Sequence, residues 1–279
     1  MEILHNAWGF NRTRVGVGIF AFILLLAALG PFFAPHSPTE FVAAPFSGPS
    51  AGTVLGVDYI GHDVLSRVLW GGRTVLGLAI AATIIGLVLG VSFGLIAGYA
   101  RRWLDETVMR LLDVLLAFPQ IVLVLLLISL LGPKLWLIVL MVGLSHAPRI
   151  ARVSRAAALE VVQRDFVRAA EALGEIKPRI LFFEVLPNIT SPLLVEFGLR
   201  LTYSIGLIAA LSFLGFGLQP PAADWGLMIN ENRIGITVQP WAVVLPVSLI
   251  AILTIGTNLI ADGLGRALIG IERESGGPS

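Results

Sequence analysis

The chain has no cysteine in its 279 residues, which excludes a disulfide framework, thiolate chemistry and thiolate metal ligation. Charge is nearly as scarce. Charged residues make up 13% of the chain and hydrophobic types 56%, against about 25% charged in ordinary soluble domains. With a mean hydropathy of +0.89, a typical soluble domain is excluded. Lysine occurs only at Lys134 and Lys177. Neither stands in a GxxxxGKS/T loop, because Pro133 precedes the first and Pro178 follows the second, so the chain does not cradle a nucleotide phosphate by that route. No basic stripe is interleaved with aromatics, which removes nucleic acid from the expected partners. The net charge of +1 carries little information, since the distribution of charge decides orientation in a membrane protein.

Long apolar runs are what the chain has in quantity. A transmembrane helix needs roughly 20 apolar residues to cross about 30 Å of hydrocarbon. Residues 15–34 supply the first run, preceded by Arg12 and Arg14 and closed by Pro31 and Pro35. It exceeds the roughly 7–15 apolar residues of a cleaved signal peptide, and further spans follow, so it reads as an uncleaved first helix behind a short N-terminus, residues 1–14. Residues 35–73 are rich in Pro, Gly and Ser and read as an external loop, entering a short amphipathic segment at GVDYIGHDVLSRVLWGGR. A second, tilted span follows over 74–100. The third runs from about Val108 to Leu131 and contains Asp113 and Pro119; the proline removes a backbone donor and predicts a kink at AFPQ. The fourth is placed at Leu135 to Arg152, where Arg149, Arg152 and Arg155 recur every three residues and share a face. Ser191-Pro192 reads as an N-cap and first helical residue, opening a fifth span that ends near Phe213. The sixth runs from Trp241 to Ala261, and the polar tail after it is expected to be unstructured. These readings divide the chain into the first span, the external loop, a five-helix core at 74–262 with a polar loop at 153–190, and a tail at 263–279.

Six spans put both termini on one side. If that side is the cytoplasm, the cytoplasmic cations are Arg12, Arg14, Arg101, Arg102, Arg110, Arg149, Arg152, Arg155, Arg164, Arg168, Lys177, Arg179, Arg266 and Arg273, against Arg67, Arg73, Lys134 and Arg233 outside. Arg200 falls in or near the fifth span and is left out. This bias fixes the expected topology, with both termini and the polar loop cytoplasmic.

The polar loop is the part of the chain that does not suit its surroundings. Asp165 to Asn188, DFVRAAEALGEIKPRILFFEVLPN, is charged and helix-prone. A first helix is expected between Arg164 and Glu175, ended by Gly174 in a left-handed cap, and a second from Lys177-Pro178, closed by Pro187. Two readings follow from the pattern. One is an amphipathic hairpin lying on the membrane; the other is a protrusion in which Ala169 and Ala170 permit close approach to a groove on another protein.

RAAEALG followed by FFEVLPN resembles the EAA loop of the membrane subunits of bacterial ABC importers, a pattern of EAA, three residues, Gly, nine residues and I-x-L-P. Ala169, Ala170, Gly174, Leu186 and Pro187 fall at the matching positions. Arg168 stands where that family often has Glu, and Glu184 where it often has Ile, changes that bear on pairing with a particular ATPase. The likeness extends over roughly Gly56 to Leu268: GVDYIGHDVLSRVLWGGR, AFP at Ala117 to Pro119, LSFLGFGLQPPAADWG and NLIADGLGRAL resemble signatures of the dipeptide and oligopeptide permease C-type subunits. The resemblance implies an all-α membrane protein of type I ABC importer permease architecture, six transmembrane helices with a helical cytoplasmic coupling loop, in the bacterial inner membrane. It implies half of a two-permease pathway, with a second homologous permease, two ATPase subunits that bind ATP and Mg, and an external solute-binding protein. Arg168, Ala169, Ala170, Glu171, Ala172, Leu173, Gly174, Leu186 and Pro187 become the expected ATPase-coupling residues. ATP binding is expected to move the loop as a lever and to rock the helices between two openings. The same signatures serve importers of peptides, nickel complexes and related solutes.

Other polar residues have plainer readings. Arg110–Asp113 and Glu196–Arg200 are spaced as ion pairs along a helix, Asp262 reads as interfacial, and Ser145 and His146 are adjacent and so do not face each other as a catalytic pair would. His62 and Asp63 read as structural, and no spacing gives a metal site. Gly86, Gly90, Gly94, Gly98 and Gly206 form small-xxx-small spacings that suit close helix packing. The Leu211–Trp225 loop is either a docking place for the binding protein or a re-entrant turn. A passive channel would need a polar lining repeated around an axis, and an intramembrane enzyme a buried nucleophile with its base; neither pattern is found. No catalytic, cofactor or metal residue is expected in this chain.

Overall fold

The computed structural model describes residues 2–100 and 102–275, and every named element in it is a helix or a helical turn. Arg101, the side chain of Arg273 and residues 276–279 of the expected tail lie outside the described residues. A short α1 (Glu2–Trp8) precedes α2 (Asn11–Leu29). After a loop come α3 (Val64–Tyr99), α4 (Arg102–Leu116), α5 (Gln120–Leu131) and α6 (Leu135–Val162). The polar loop holds α7 (Asp165–Ala172), α8 (Lys177–Arg179), a π-helical turn (Ile180–Val185) and α9 (Leu186–Asn188). It leads into α10 (Thr190–Phe213), α11 (Trp225–Asn232) and α12 (Trp241–Ser275). Five helices are long and apolar enough to cross a membrane, and the bent pair α4–α5 makes a sixth when counted as one span.

Several boundaries differ from the sequence reading. The second span begins at Val64, inside the expected external loop, because Asp63 accepts from the backbone N–H of Ser66 at 2.8 Å and caps the helix. The expected kink at AFPQ is a break: α4 and α5 meet at 85°, with Pro119 extended at φ −56°, ψ 126° as the N-cap of α5. The fourth span continues to Val162 through Pro148. The second loop helix runs without a break from Lys177 through the π-helical turn to Asn188, one residue past Pro187, and ends at Ile189. Helix α10 starts at Thr190, behind Ile189, so Ser191 lies inside the helix instead of capping it. The sixth helix runs on to Ser275, and Asp262 within it takes Arg266 at 3.2 Å and Arg12 at 3.0 Å, so the expected loose tail begins as helix.

The core is set by α3 against α6. A methyl group built on Gly86 would lie 2.9 Å from the Gly143 carbonyl oxygen, on Gly90 2.5 Å from Ile150 Cβ, on Gly94 2.5 Å from Ser154 Cβ, and on Gly98 2.9 Å from Ala158 Cβ. The glycine stripe is therefore the surface on which α6 lies, close enough for dispersion contacts between backbones. Gly206 does not belong to it, since a methyl there meets nothing within 4 Å. On the other side of the bundle α2 rests on α12 through Gly16 and Gly256, leaving Phe22, Leu24 and Leu25 exposed.

Beyond the start of α3 a loop folds into a cap by isolated bridges such as Phe41 with His62 and Val57 with Asp63. Its centre is a buried ion cluster: Arg67, with no exposed surface, pairs with Asp58 and, at 3.0 Å, with Glu231 of α11. Tyr59 donates to Glu231 at 3.1 Å. Burial pushes the Glu231 carboxyl up and, with the Glu231 charge beside it, the Tyr59 hydroxyl up to about 12. Trp225, fully buried, donates its indole N–H to the Val68 carbonyl at 2.9 Å.

Candidate functional site

The polar loop folds as a module on the ends of three membrane helices. In α7, Val167 is the one fully buried residue; with Ile180, Val185 and Ile189 it packs on Leu95 of α3, Ala158 of α6 and Leu193 of α10. In the second half of the loop Ile180, Val185 and Ile189 face inward at spacings of five and four residues, one stripe carried across the π-helical turn. Gly174 takes φ +83°, the left-handed conformation that ends α7 as its spacing from the apolar run predicts. Nothing lies within 4 Å of its missing side chain, so conformation and not space calls for glycine there.

Polar contacts brace the module. Tyr99, at the last turn of α3, donates its hydroxyl to the carboxylate of Glu171 in α7, and the Lys177 ammonium sits 5.9 Å from the Tyr99 ring centroid. Arg179 pairs with Glu175 at 3.3 Å. Between α7 and the π-helical turn lies an open cleft of about 730 Å³, lined by Phe166, Ala169, Ala170, Leu173, Ile180 and Phe183 among others.

Of the nine expected coupling residues, Ala169, Ala170 and Leu173 line this cleft, and Leu173 is 84% exposed. Arg168 and Ala172 are exposed, as is Gly174 at the turn. Glu171 is engaged by Tyr99. Leu186 packs inward and Pro187 is exposed beyond the turn, so the second half of the motif positions the cleft without lining it. Sequence reasoning passed over Phe166, Ile176, Phe182 and Phe183, all exposed. Two adjacent phenylalanines in a charged segment were the available signal.

The other candidates are placed as follows. Asp113 does not pair with Arg110; it takes Arg152 of α6 at 2.5 Å, while Asp105 takes Arg155, because the break after Leu116 turns α4 across the arginine face of α6. Glu196 and Arg200 do pair, at 2.9 Å, and both are buried. His146 and Ser145 meet Gln120 at 3.2 and 2.8 Å, and His146 Nε2 lies 3.0 Å from Ser204 Oγ, which accepts from Thr83 at 2.9 Å. That chain of neutral groups ties α5, α6, α10 and α3 together inside the bundle. In the Leu211–Trp225 loop, Asp224 caps α11 by accepting from Leu227 N–H at 3.0 Å.

Known proteins resemble this chain in sequence and in fold. The model of the binding-protein-dependent transport system inner membrane component matches residues 90–269, a stretch that includes the whole loop module. The glutathione transport system permease protein GsiD of Pectobacterium atrosepticum is 35% identical over 264 residues, 93% of this chain and 88% of that one. The dipeptide transport system permease protein DppC of Alkalihalophilus pseudofirmus is 35% identical over 255 residues, 91% of this chain and 84% of that one. In fold, a chain of the MetNI methionine ABC transporter in an inward-facing conformation superposes with a TM-score of 0.52 at 22% identity, covering 71% of this chain and 96% of that one. The all-α, multi-span architecture, the loop carried on the ends of α3, α6 and α10, and these matches lead to one conclusion: the chain belongs to the binding-protein-dependent transport system inner-membrane-component family.

Proposed function

We propose that the chain is one half of the translocation pathway of an ATP-driven importer of peptides, and that the cleft between α7 and the π-helical turn receives a partner ATPase. The observation that carries this reading is the pairing of an exposed apolar cleft with a rigid footing. Phe166, Leu173, Ile176, Phe182 and Phe183 are exposed, while Val167, Ile180 and Val185 anchor the same segment to α3, α6 and α10. Exposed apolar surface of this kind marks a partner site, and a footing on three helices lets a displacement of the loop tilt them together.

The full assembly comprises a second homologous permease, two ATPase subunits that hold ATP and Mg, and an external solute-binding protein. Hydrolysis belongs to the ATPases, since no phosphate loop occurs in this chain. The excess of Arg on the loop side supports a cytoplasmic location for the loop and both termini. Peptide as solute is supported by the names of the dipeptide and glutathione permeases that resemble the chain.

The test is Ala170→Trp, which adds bulk to the cleft wall. The ATPase is expected to stop co-purifying and ATP-dependent dipeptide uptake to vanish from proteoliposomes, while the variant still inserts. Normal co-purification and uptake would overturn the docking role.

A further inference from the structure

Helices α10 and α12 carry a groove of mixed character within the hydrocarbon layer. Leu199, Thr202 and Tyr203 of α10 and Thr254, Ile255 and Asn258 of α12 line an open depression of about 240 Å³, so that four polar side chains stand beside two apolar ones. Tyr203 is 55% exposed, Asn258 is exposed, and Gly206, one turn beyond Tyr203, faces open space. Tyr203 lies ten residues before the end of α10 at Phe213, roughly 15 Å at a rise of about 1.5 Å per residue, and Asn258 lies one turn before the interfacial Asp262, so the groove sits in the inner part of the hydrocarbon layer.

Lipid does not suit such a face. In hydrocarbon a phenol and a carboxamide have no partners, and polar side chains at this depth turn toward the protein interior or a water-filled cavity. The exposed side of α2 offers the contrast, with Val15, Phe22, Leu24, Leu25 and Leu29. The groove is also built. Arg200 stacks 5.3 Å from the Tyr203 ring centroid and is itself held by Glu196 at 2.9 Å. Thr202 donates to Thr257 at 3.0 Å, joining α10 to α12 beneath it.

We infer that the Tyr203–Asn258 groove lines the water-filled translocation pathway and offers uncharged hydrogen-bonding groups to the backbone of a passing peptide. This rests on the reading of the chain as half of such a pathway. Groups that bind weakly and carry no charge let a solute enter without trapping it.

The absence of cysteine makes the test direct. Tyr203→Cys, Gly206→Cys and Asn258→Cys are introduced singly into the full complex in membranes, beside Phe22→Cys and Leu25→Cys, and treated with a cationic, membrane-impermeant methanethiosulfonate. Labelling of this chain is expected to be about tenfold or more faster at positions 203, 206 and 258, because only a thiol in contact with water ionises and reacts. Added dipeptide is expected to slow it at 203 and 258. Rates equal to those at 22 and 25 would overturn the inference, as would cross-linking of position 203 to the second permease without labelling. Variants are scored only in complexes that retain their ATPase. A complex that keeps its ATPase yet labels like the lipid-facing controls defeats the groove assignment and leaves the coupling reading standing. Tyr203→Phe, which keeps the ring, is expected to lower dipeptide uptake about two- to fivefold with ATPase binding unchanged; full uptake would count against a hydrogen-bonding role.

Discussion

Tyr99, closing α3, donates its hydroxyl to Glu171 in the first loop helix, so a membrane-spanning helix is joined by a side-chain hydrogen bond to the segment proposed to meet the ATPase. Tyr99→Phe removes the bond and keeps the ring under Lys177. A hydrogen bond to a charged acceptor contributes about 1.5–3 kcal/mol when sheltered, and less here because Glu171 is exposed. The expected outcome is a two- to fivefold fall, on the order of 1 kcal/mol, in solute moved per ATP hydrolysed, with ATPase binding retained. Stoichiometry in proteoliposomes measures it.

Gly174 separates conformational need from steric need. At φ +83° an alanine is strained although nothing lies within 4 Å. Gly174→Ala is expected to destabilise the loop by about 1 kcal/mol and Gly174→Asn by less, since asparagine tolerates the left-handed region better. Hydrogen exchange at the end of α7 should rise in that order. Equal protection in all three proteins would count against a capping role.

The cap beyond the start of α3 depends on charge balance. Arg67 is buried between Asp58 and Glu231, and removing one partner from a buried ion cluster costs about 3–5 kcal/mol because the others stay desolvated. Arg67→Met is expected to lower the thermal midpoint of the purified complex and expose the 35–63 loop to protease. Arg233→Met, whose residue is exposed, is expected to change neither.

The same cap has a pH signature of known sign. Burial pushes the His62 imidazole down from its ordinary 6.5, so the folded cap resists protonation. Its stabilising contribution is complete above the unfolded value and is lost as pH falls from 6.5 through the lower folded one. Glu231 works oppositely: its carboxyl is held above the usual range, so acidification through that raised value down to the ordinary carboxylate range favours the fold. His62→Gln should remove the loss between pH 7 and 5.5 and leave the Glu231 contribution. Protease sensitivity of the 35–63 loop across that window provides the readout.

Much of this was legible in the residues because two of the signals are local. Apolar runs located the spans, and Gly174 and Lys177-Pro178 marked the breaks inside the loop. The partners of Asp113 were not legible: spacing favoured Arg110 on the same helix, but the break at Pro119 turns α4 so that Arg152 is nearer. Arg67 counted in the sequence only as a cation on the external side, with no sign of burial. Its burial depends on Glu231, far along the chain, and no periodicity announces a contact between distant segments. The cleft is half legible: Ala169 and Ala170 stand in the motif, while Phe166 and Phe183, which also line it, carry no spacing signal.

The glycines show how a spacing rule divides when geometry is known. Gly94 and Gly206 both satisfied the small-xxx-small pattern, yet a methyl on Gly94 would lie 2.5 Å from Ser154 Cβ and 2.6 Å from the Ala151 carbonyl oxygen, while one on Gly206 meets nothing within 4 Å. Backbone cannot yield as the end of a flexible side chain can, so Gly94→Ala must part α3 from α6, and overpacking of this kind costs about 1–3 kcal/mol. Leu95 of α3 and Ala158 of α6 also seat the polar loop, so the separation should reach the proposed ATPase site. Gly94→Ala is therefore expected to lower both thermal stability and ATP-driven uptake, and Gly206→Ala to leave the thermal midpoint unchanged. If the two variants unfold at the same temperature, the α3–α6 contact is not the close backbone packing described, and the route from loop to bundle must run through α10 and Leu193 instead.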